Sequence, residues 1–272
     1  MNTPSPIRLI TLGAISALQT QAIYHAVAEL MTPDASDTII LCRTATPYLC
    51  LGYHQAFDDV LDRSACERLK LPVFRRKVGG GTTYLDSDQL FYQFIFHKNR
   101  VPAMFNDVFT QTLAAPVSAL RRLDVDAVLR HVNEIEVGGK RIAGTGGGWI
   151  GDAAVVVGNV LFDFRYDVLV DVWRFPSESS RPLADYALRQ RVTTLKKEAP
   201  WVKPADMERG LIEELPRVFG RDVMPDHLTE EELWHSHTVG AKLSSSDYLN
   251  LHADTTRQPR PLKIAAETFI HS

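Results

Sequence analysis

Apolar residues in this chain recur at two spacings, and the switches between them predict its elements. Leu18, Ala22, Ala26 and Leu30 repeat every fourth residue, with Ile23, Val27 and Met31 beside them. This is a helix with a wide apolar face. Ser16 with Gln19 three residues on forms a capping box at its start, and Pro33 lies beyond its end. Thr38–Arg43 and Tyr48–Tyr53 read as strands parted by Thr46-Pro47, and Asp58–Lys70 as a helix with Val60, Leu61, Ala65 and Leu69 inward. Gln89–Phe96 is apolar on both faces, which predicts a central strand covered on both sides. A helix over Met104–Leu123, with Pro116 as a candidate kink, precedes a long strand over Ala153–Phe164. Ala205–Phe219 and Thr229–Lys242 read as helices, and Leu262–Ile270 as one more strand. Helices interspersed with strands on short turns predict an α+β fold, a mixed or antiparallel sheet with helices packed on it.

Two stretches do not fit either spacing. In Leu71–Asp88 a short apolar strand leads through Arg75 and Arg76 to Gly79-Gly80-Gly81, then to Thr82-Thr83-Tyr84-Leu85, which reads as a strand again. Consecutive glycines cost backbone entropy, so they imply a sharp turn or a backbone lying against a ligand. Neither common nucleotide motif is present: no G-x-x-x-x-G-K-[ST] occurs, and no helix opens after the glycines. Arg75 and Arg76 at the rim suit bidentate contact with phosphate or carboxylate; a glycine-rich hairpin with solvated arginines is the competing reading. In Asn133–Asp163, Lys140 and Arg141 sit in a tight turn after Gly138-Gly139, and Gly144 and Gly146-Gly147-Gly148 follow. A lysine at a hairpin turn is ordinarily solvated, but the second glycine cluster favours a loop closing over a ligand. That loop is expected to be disordered without one.

Composition narrows the field. The 272 residues are 45% hydrophobic and 23% charged, enough for one large domain or two small ones. A net charge of −3 without a long basic run argues against general nucleic-acid binding. The N-terminus lacks a charged region followed by a long apolar run, and no apolar run approaches the ~20 residues of a membrane helix. Cys42, Cys50 and Cys66 have neither a disulfide framework nor zinc spacing. The expectation is a soluble, cytoplasmic, monomeric protein without a membrane or nucleic-acid partner and without a protein-bound metal cluster.

Four segments, in order, resemble the lipoate–protein ligase A branch of the biotin/lipoate ligase superfamily. Pro47 through Gln55 is similar to its P-x-x-x-x-G-x-x-Q strand, and Arg75 through Asp86 to R-R-x-x-G-G-G-x-x-x-H-D. Asn133-Glu134-Ile135 through Gly144 is similar to N-D-I-x-x-x-G-K-K-I-x-G, and Arg191–Leu195 to R-V-T-N-L. The resemblance implies a mixed sheet flanked by helices over residues 1–250, with residues 251–272 an extension packed on it and no large accessory domain. It implies activation of lipoate by ATP to lipoyl-AMP, then transfer to a lysine of a lipoyl-accepting protein. The acceptor stays open among the E2 subunit of a 2-oxoacid dehydrogenase, the glycine-cleavage carrier and a lipoate-binding protein of sulfur oxidation. A partner subunit for adenylation is a further possibility. On this reading Lys140 is the catalytic cation at the carboxylate–phosphate junction, with Arg141 an outer contact. Arg75, Arg76, Gly79, Gly80, Gly81, Thr82, Thr83, Gly144 and Thr145 would cradle the acyl-adenylate, and Asp86, Asn133 and Glu134 would orient the nucleotide or its Mg²⁺.

The chain departs from the pattern at three places. Leu85 replaces the histidine of the glycine signature, Glu134 replaces the aspartate of N-D-I, and Val157 replaces the histidine of a later L-x-H-G-x-L-L. These changes leave room for a different acid or acceptor, or for a protein that binds the acyl group without turnover. A sister branch transfers octanoyl or lipoyl groups through a cysteine thioester. Its cysteine would fall within Asp124–Val132, where this chain has none.

Overall fold

This computed structural model describes residues 5–175, 177–253, 262–265 and 268–270. In chain order the elements are β1 (Ile7–Ile15), α1 (Ala17–Glu29), β2 (Thr38–Thr44), β3 (Tyr48–Leu51), α2 (Phe57–Val60), α3 (Arg63–Arg68), β4 (Val73–Arg75), β5 (Thr83–Leu85) and β6 (Gln89–His97). There follow α4 (Phe105–Arg122), β7 (Ala127–Arg130), β8 (Glu134–Val137), β9 (Lys140–Ile150), β10 (Ala153–Leu161), α5 (Tyr166–Val172), α6 (Arg181–Arg191), α7 (Leu195–Glu198) and α8 (Pro204–Phe219). The chain continues through β11 (Val223–Pro225), α9 (Glu230–Leu243), α10 (Ser246–Leu249), β12 (Leu262–Ala265) and β13 (Thr268–Ile270).

The main sheet runs β11-β1-β2-β6-β10-β9-β8-β7; β1 is parallel to both of its neighbours, and every pairing from β2–β6 to β8–β7 is antiparallel. A smaller sheet, β4-β3-β5, carries the first glycine stretch between β4 and β5. Strand period two sorts the main sheet into two faces. Tyr92, Phe94 and Val156 pack against α4 and α8 through Val108, Leu113, Leu120, Met207 and Leu211. Ile40, Ile95 and Val155 face the other way, against Ile23, Tyr24 and Val27 of α1. α9 covers α1 through Val239 and Leu243, while α5 and α6 pack on the small sheet through Leu169, Trp173 and Leu188.

Most predicted elements form. The capping box is made, since Ser16 Oγ accepts from Gln19 N and Gln19 Oε1 accepts from Ser16 N. β6 is central and buried at every position. α4 runs through Pro116 without a break. The helix expected over Asp58–Lys70 is instead α2 and α3, because Leu61 is extended and Asp62 caps a new start by accepting from Ala65 N. The strand expected over Leu262–Ile270 is two short antiparallel strands. Most of the 251–272 extension lies outside the described residues. Gly146-Gly147-Gly148, expected to be a disordered loop, lies inside β9, where it pairs with Val155, Val156 and Val157 of β10. No helix among the described residues is long and apolar enough to cross a membrane.

Candidate active site

A cavity of about 160 Å³ opens on the α1 face of the main sheet, between β9, β10 and the small sheet. Its wall is where the two glycine stretches meet. Gly79 N donates to Gly147 O across 3.1 Å. A Cβ at Gly146 would lie 2.6 Å from Gly79 O, and one at Gly147 would lie 2.7 Å from the Phe105 ring. A side chain at Gly146 would force the two backbones apart and one at Gly147 would drive into the Phe105 and Phe109 rings of α4, so composition here is set by close approach. Gly80 has the additional demand of φ +108°, open to glycine alone at low cost.

The expected residues divide. Arg76, Gly80, Gly81, Thr82, Thr83, Asn133, Glu134, Gly144 and Thr145 line the cavity, whereas Arg75, Gly79, Asp86 and Lys140 do not. Arg75 is fully buried on the opposite side of its strand, and burial lowers its pKa. Its guanidinium donates to Tyr248 O at 2.9 Å, Leu249 O at 2.6 Å, Tyr53 O at 2.9 Å and Gly52 O at 3.2 Å, and also to Gln55 O. It clamps α10 to the loop after β3 and has no reach to a ligand. Arg76 touches the cavity, but its donors are taken up by Gly79 O, Gly81 O at 2.8 Å and Cys50 O at 3.3 Å. It shapes the glycine turn. His25 holds the same turn from α1: Nδ1 donates to Gln21 O at 2.6 Å and Nε2 accepts from Lys77 N at 2.9 Å. Complete burial pushes its pKa down to about 3, so the imidazole is neutral, as that pair of bonds requires.

Asp86 accepts from Asp88 N and Gln89 Nε2, and burial raises its pKa. It meets the cavity only through Gln89, whose Oε1 accepts from Asn159 Nδ2. Thr82 Oγ1 and Gly52 N both bond Gln55 Oε1 at 2.9 Å, tying the glycine turn to the loop after β3. Thr145 Oγ1 meets Tyr92 OH at 3.1 Å, and Asn133 Nδ2 donates to Thr145 O at 3.3 Å.

In the second glycine stretch Lys140 and Arg141 face opposite ways. In β8 the cavity face carries Glu134 and Glu136, both buried, and the core face carries Ile135 and Val137. β9 pairs Ala143 with Ile135, but Arg141 with Glu136 and Lys140 with Val137, so Ile142 is an extra residue in the ladder. That bulge turns Arg141 to the cavity and Lys140 away from it. Arg141 Nη1 lies 3.4 Å from Glu134 Oε1, while Arg191 lies 3.7 Å from Glu136. Thr193 N donates to Arg141 O at 2.9 Å, which brings the Arg191–Leu195 segment alongside and puts Val192 in the cavity wall.

Sequence reasoning did not single out Gln21, Cys50, Gln93 or Asn159, which also line the cavity. Leu85 and Val157, which replace the pattern's histidines, form apolar wall beside Phe91, Phe164 and Trp173. Cys50 Sγ lies 3.6 Å from both Gln21 Oε1 and Arg76 Nη1. Burial raises its pKa, the arginine lowering it less, so it stays a thiol. Among the described residues no group of His, Cys, Asp and Glu is arranged to hold a metal by itself.

A family model described as the lipoyl protein ligase A/B catalytic domain matches residues 16–216. The chain is 23% identical over 192 residues to lipoate-protein ligase A subunit 1 of Thermoplasma acidophilum, covering 67% of this chain and 72% of that one. It is 22% identical over 270 residues to the octanoyltransferase LipM of Moorella thermoacetica, covering 89% and 97%. Among solved structures, a chain from the bipartite lipoate protein ligase of T. acidophilum, studied with its E2 lipoyl domain, matches with a TM-score of 0.83 at 20% identity, covering 93% of this chain and 99% of that chain. An ATP-bound lipoate-protein ligase A matches with a TM-score of 0.77 at 21% identity, covering 90% and 98%.

Proposed function

The chain belongs to the lipoyl protein ligase A/B catalytic domain family, and we propose that it activates lipoate with ATP and passes the acyl group to a lysine of a lipoyl-accepting domain. One observation carries the reading: the cavity joins an apolar wall, which includes Leu85, Phe91, Val157, Phe164 and Trp173, to an end where a cation, Arg141, stands beside Glu134. The carboxylate of the acid attacks the α-phosphate of ATP, the bond to pyrophosphate breaks, and an acyl-adenylate forms. Two anions must be brought together for this. Arg141 offsets their repulsion and, in the second step, the charge that develops on the acyl oxygen as the acceptor amine attacks and AMP leaves. A guanidinium stays charged throughout and presents a planar fork to carboxylate and phosphate oxygens, which a lysine does not. Glu134 holds that fork in place. The cavity's polar residues include one carboxylate, Glu134, so a Mg²⁺ ion would depend chiefly on the ATP phosphates, the usual arrangement for this cation. When bound it would screen the phosphate charge.

The match across nearly the whole of a bipartite ligase chain supports a need for a separate partner subunit, and a cytoplasmic setting fits an ATP-using enzyme. A second reading, carrier-to-carrier transfer through a thioester, is favoured by Cys50 in the cavity wall and by the similarity to an octanoyltransferase. The buried, protonated thiol weighs against it. Pyrophosphate release from Mg-ATP with lipoate, and then octanoate, tests the ligase reading, with the accessory domain of a bipartite ligase added if the chain alone is silent. Release that survives thiol alkylation supports it. Transfer that proceeds without ATP and is abolished by alkylation would replace it with the second reading.

A further inference from the structure

The end of the cavity away from Arg141 is more polar than an alkyl tail requires. Register places it: Gly146 of β9 pairs with Val157 of β10, and Val157 with Gln93 of β6, so Gln93 and Val157 stand side by side on the cavity face. Arg141 lies five positions before Gly146 in β9, roughly 15 Å along the strand. The two ends of the cavity are therefore distinct places.

Gln93 occupies a position whose β2 neighbour is Ile40, in a face otherwise packed with Ile95 and Val155. Only 3% of it is exposed. Its Nε2 donates to Thr20 O at 2.8 Å. A carbonyl can only accept, so this bond fixes the amide with its Oε1 turned from α1. The residue lines the cavity, and Oε1 has no hydrogen-bond partner among the described residues. The polar groups around it are already engaged. Gln21 Nε2 donates to Tyr48 OH at 2.7 Å, Gln21 Oε1 accepts from Tyr24 OH at 3.2 Å and from the Cys50 thiol, and Tyr48 OH meets Thr20 Oγ1 at 2.7 Å. Gln93 Oε1 is thus left as an acceptor at the end of the cavity away from Arg141, where the acyl-activating reading puts the tail of the acid. A buried acceptor covered by methylene groups loses its water and gains nothing.

We propose that Gln93 is a specificity residue that selects acids carrying an O–H or S–H donor at the far end of the chain over unsubstituted alkanoic acids of the same length. The proposal rests on the acyl-activating reading of the cavity and refines its substrate class. An open dithiol or an ω-hydroxy acid supplies the donor; a saturated tail and a closed dithiolane do not.

Calorimetric binding of octanoate and ω-hydroxyoctanoate to the intact chain, in the absence of ATP, tests it, with dihydrolipoate and lipoate under reducing and non-reducing conditions as a second pair. The wild type is expected to bind the donor-bearing member of each pair roughly tenfold more tightly, the effect of about one buried hydrogen bond. Gln93→Met keeps length and flexibility, removes the acceptor, and is expected to erase or invert that preference. Equal or tighter binding of octanoate by the wild type overturns the proposal even if the variant fails to fold. So does a folded Gln93→Met that keeps the preference. Both outcomes leave the acyl-activating reading intact. Failure of the wild type to bind any of the four acids, with Mg-ATP and the accessory domain of a bipartite ligase also supplied, removes that reading and the proposal together.

Discussion

Two adjacent basic pairs, Arg75-Arg76 and Lys140-Arg141, look alike in sequence, and the fold uses them in opposite ways. In the first pair, one residue is a fully buried clamp on backbone carbonyls and the other is curled into its own loop. In the second pair, one faces away from the cavity and the other faces in beside Glu134. The first pair therefore holds backbone in place, and the second puts one cation at the cavity. Adjacent residues on a strand point to opposite faces, so a pair of cations in a motif places at most one in a given cavity unless a bulge or turn intervenes.

The largest effect of a single substitution is expected at Arg75. Its removal takes a donor from five buried or part-buried carbonyls, of which Gly52 O keeps Gln55 N and Tyr53 O keeps His252 Nε2. Arg75→Met is expected to cost about 4 kcal/mol or more in unfolding free energy, read from urea titration. A loss below about 1 kcal/mol would mean that the carbonyls find other donors.

A smaller effect is expected at His25, which pins the loop next to Arg76. Its folded pKa of about 3 lies below the ordinary 6.5. Between those values the unfolded chain binds a proton that the folded chain does not, so stability falls as pH drops through that window. The slope approaches ~1.4 kcal/mol per pH unit in mid-window. His25→Gln should flatten the slope between pH 6 and 4 relative to wild type. An unchanged slope would show that the acid sensitivity comes from other groups.

Much of the fold was legible because its signals are local: the capping box at Ser16, the apolar run of β6, the four-residue repeat of α1. β1 was not read, because Ile7–Ile15 alternates poorly; its outer half is largely exposed. The site was legible as two glycine stretches, but not as a crossing of the two, since the contact of Gly79 with Gly147 depends on strands far apart in the chain. The family resemblance alone assigned the junction to Lys140 with Arg141 outside it; which of the two faces the cavity depends on the Ile142 bulge, which leaves no mark in composition. Gln93 was hidden for a related reason. Within an apolar strand it reads as an exception, and only the register shows that it faces a cavity.

The central claim is that Arg141, and not Lys140, is the cation at the acyl–phosphate junction. Pyrophosphate release from Mg-ATP and lipoate by wild type, Arg141→Ala, Arg141→Lys and Lys140→Ala tests it most directly, with urea stability measured alongside. The account predicts a loss of about 100-fold or more in Arg141→Ala at near wild-type stability, with partial recovery in Arg141→Lys. Lys140→Ala should stay within about twofold of wild type. Loss of activity in Lys140→Ala with Arg141→Ala unaffected would contradict it.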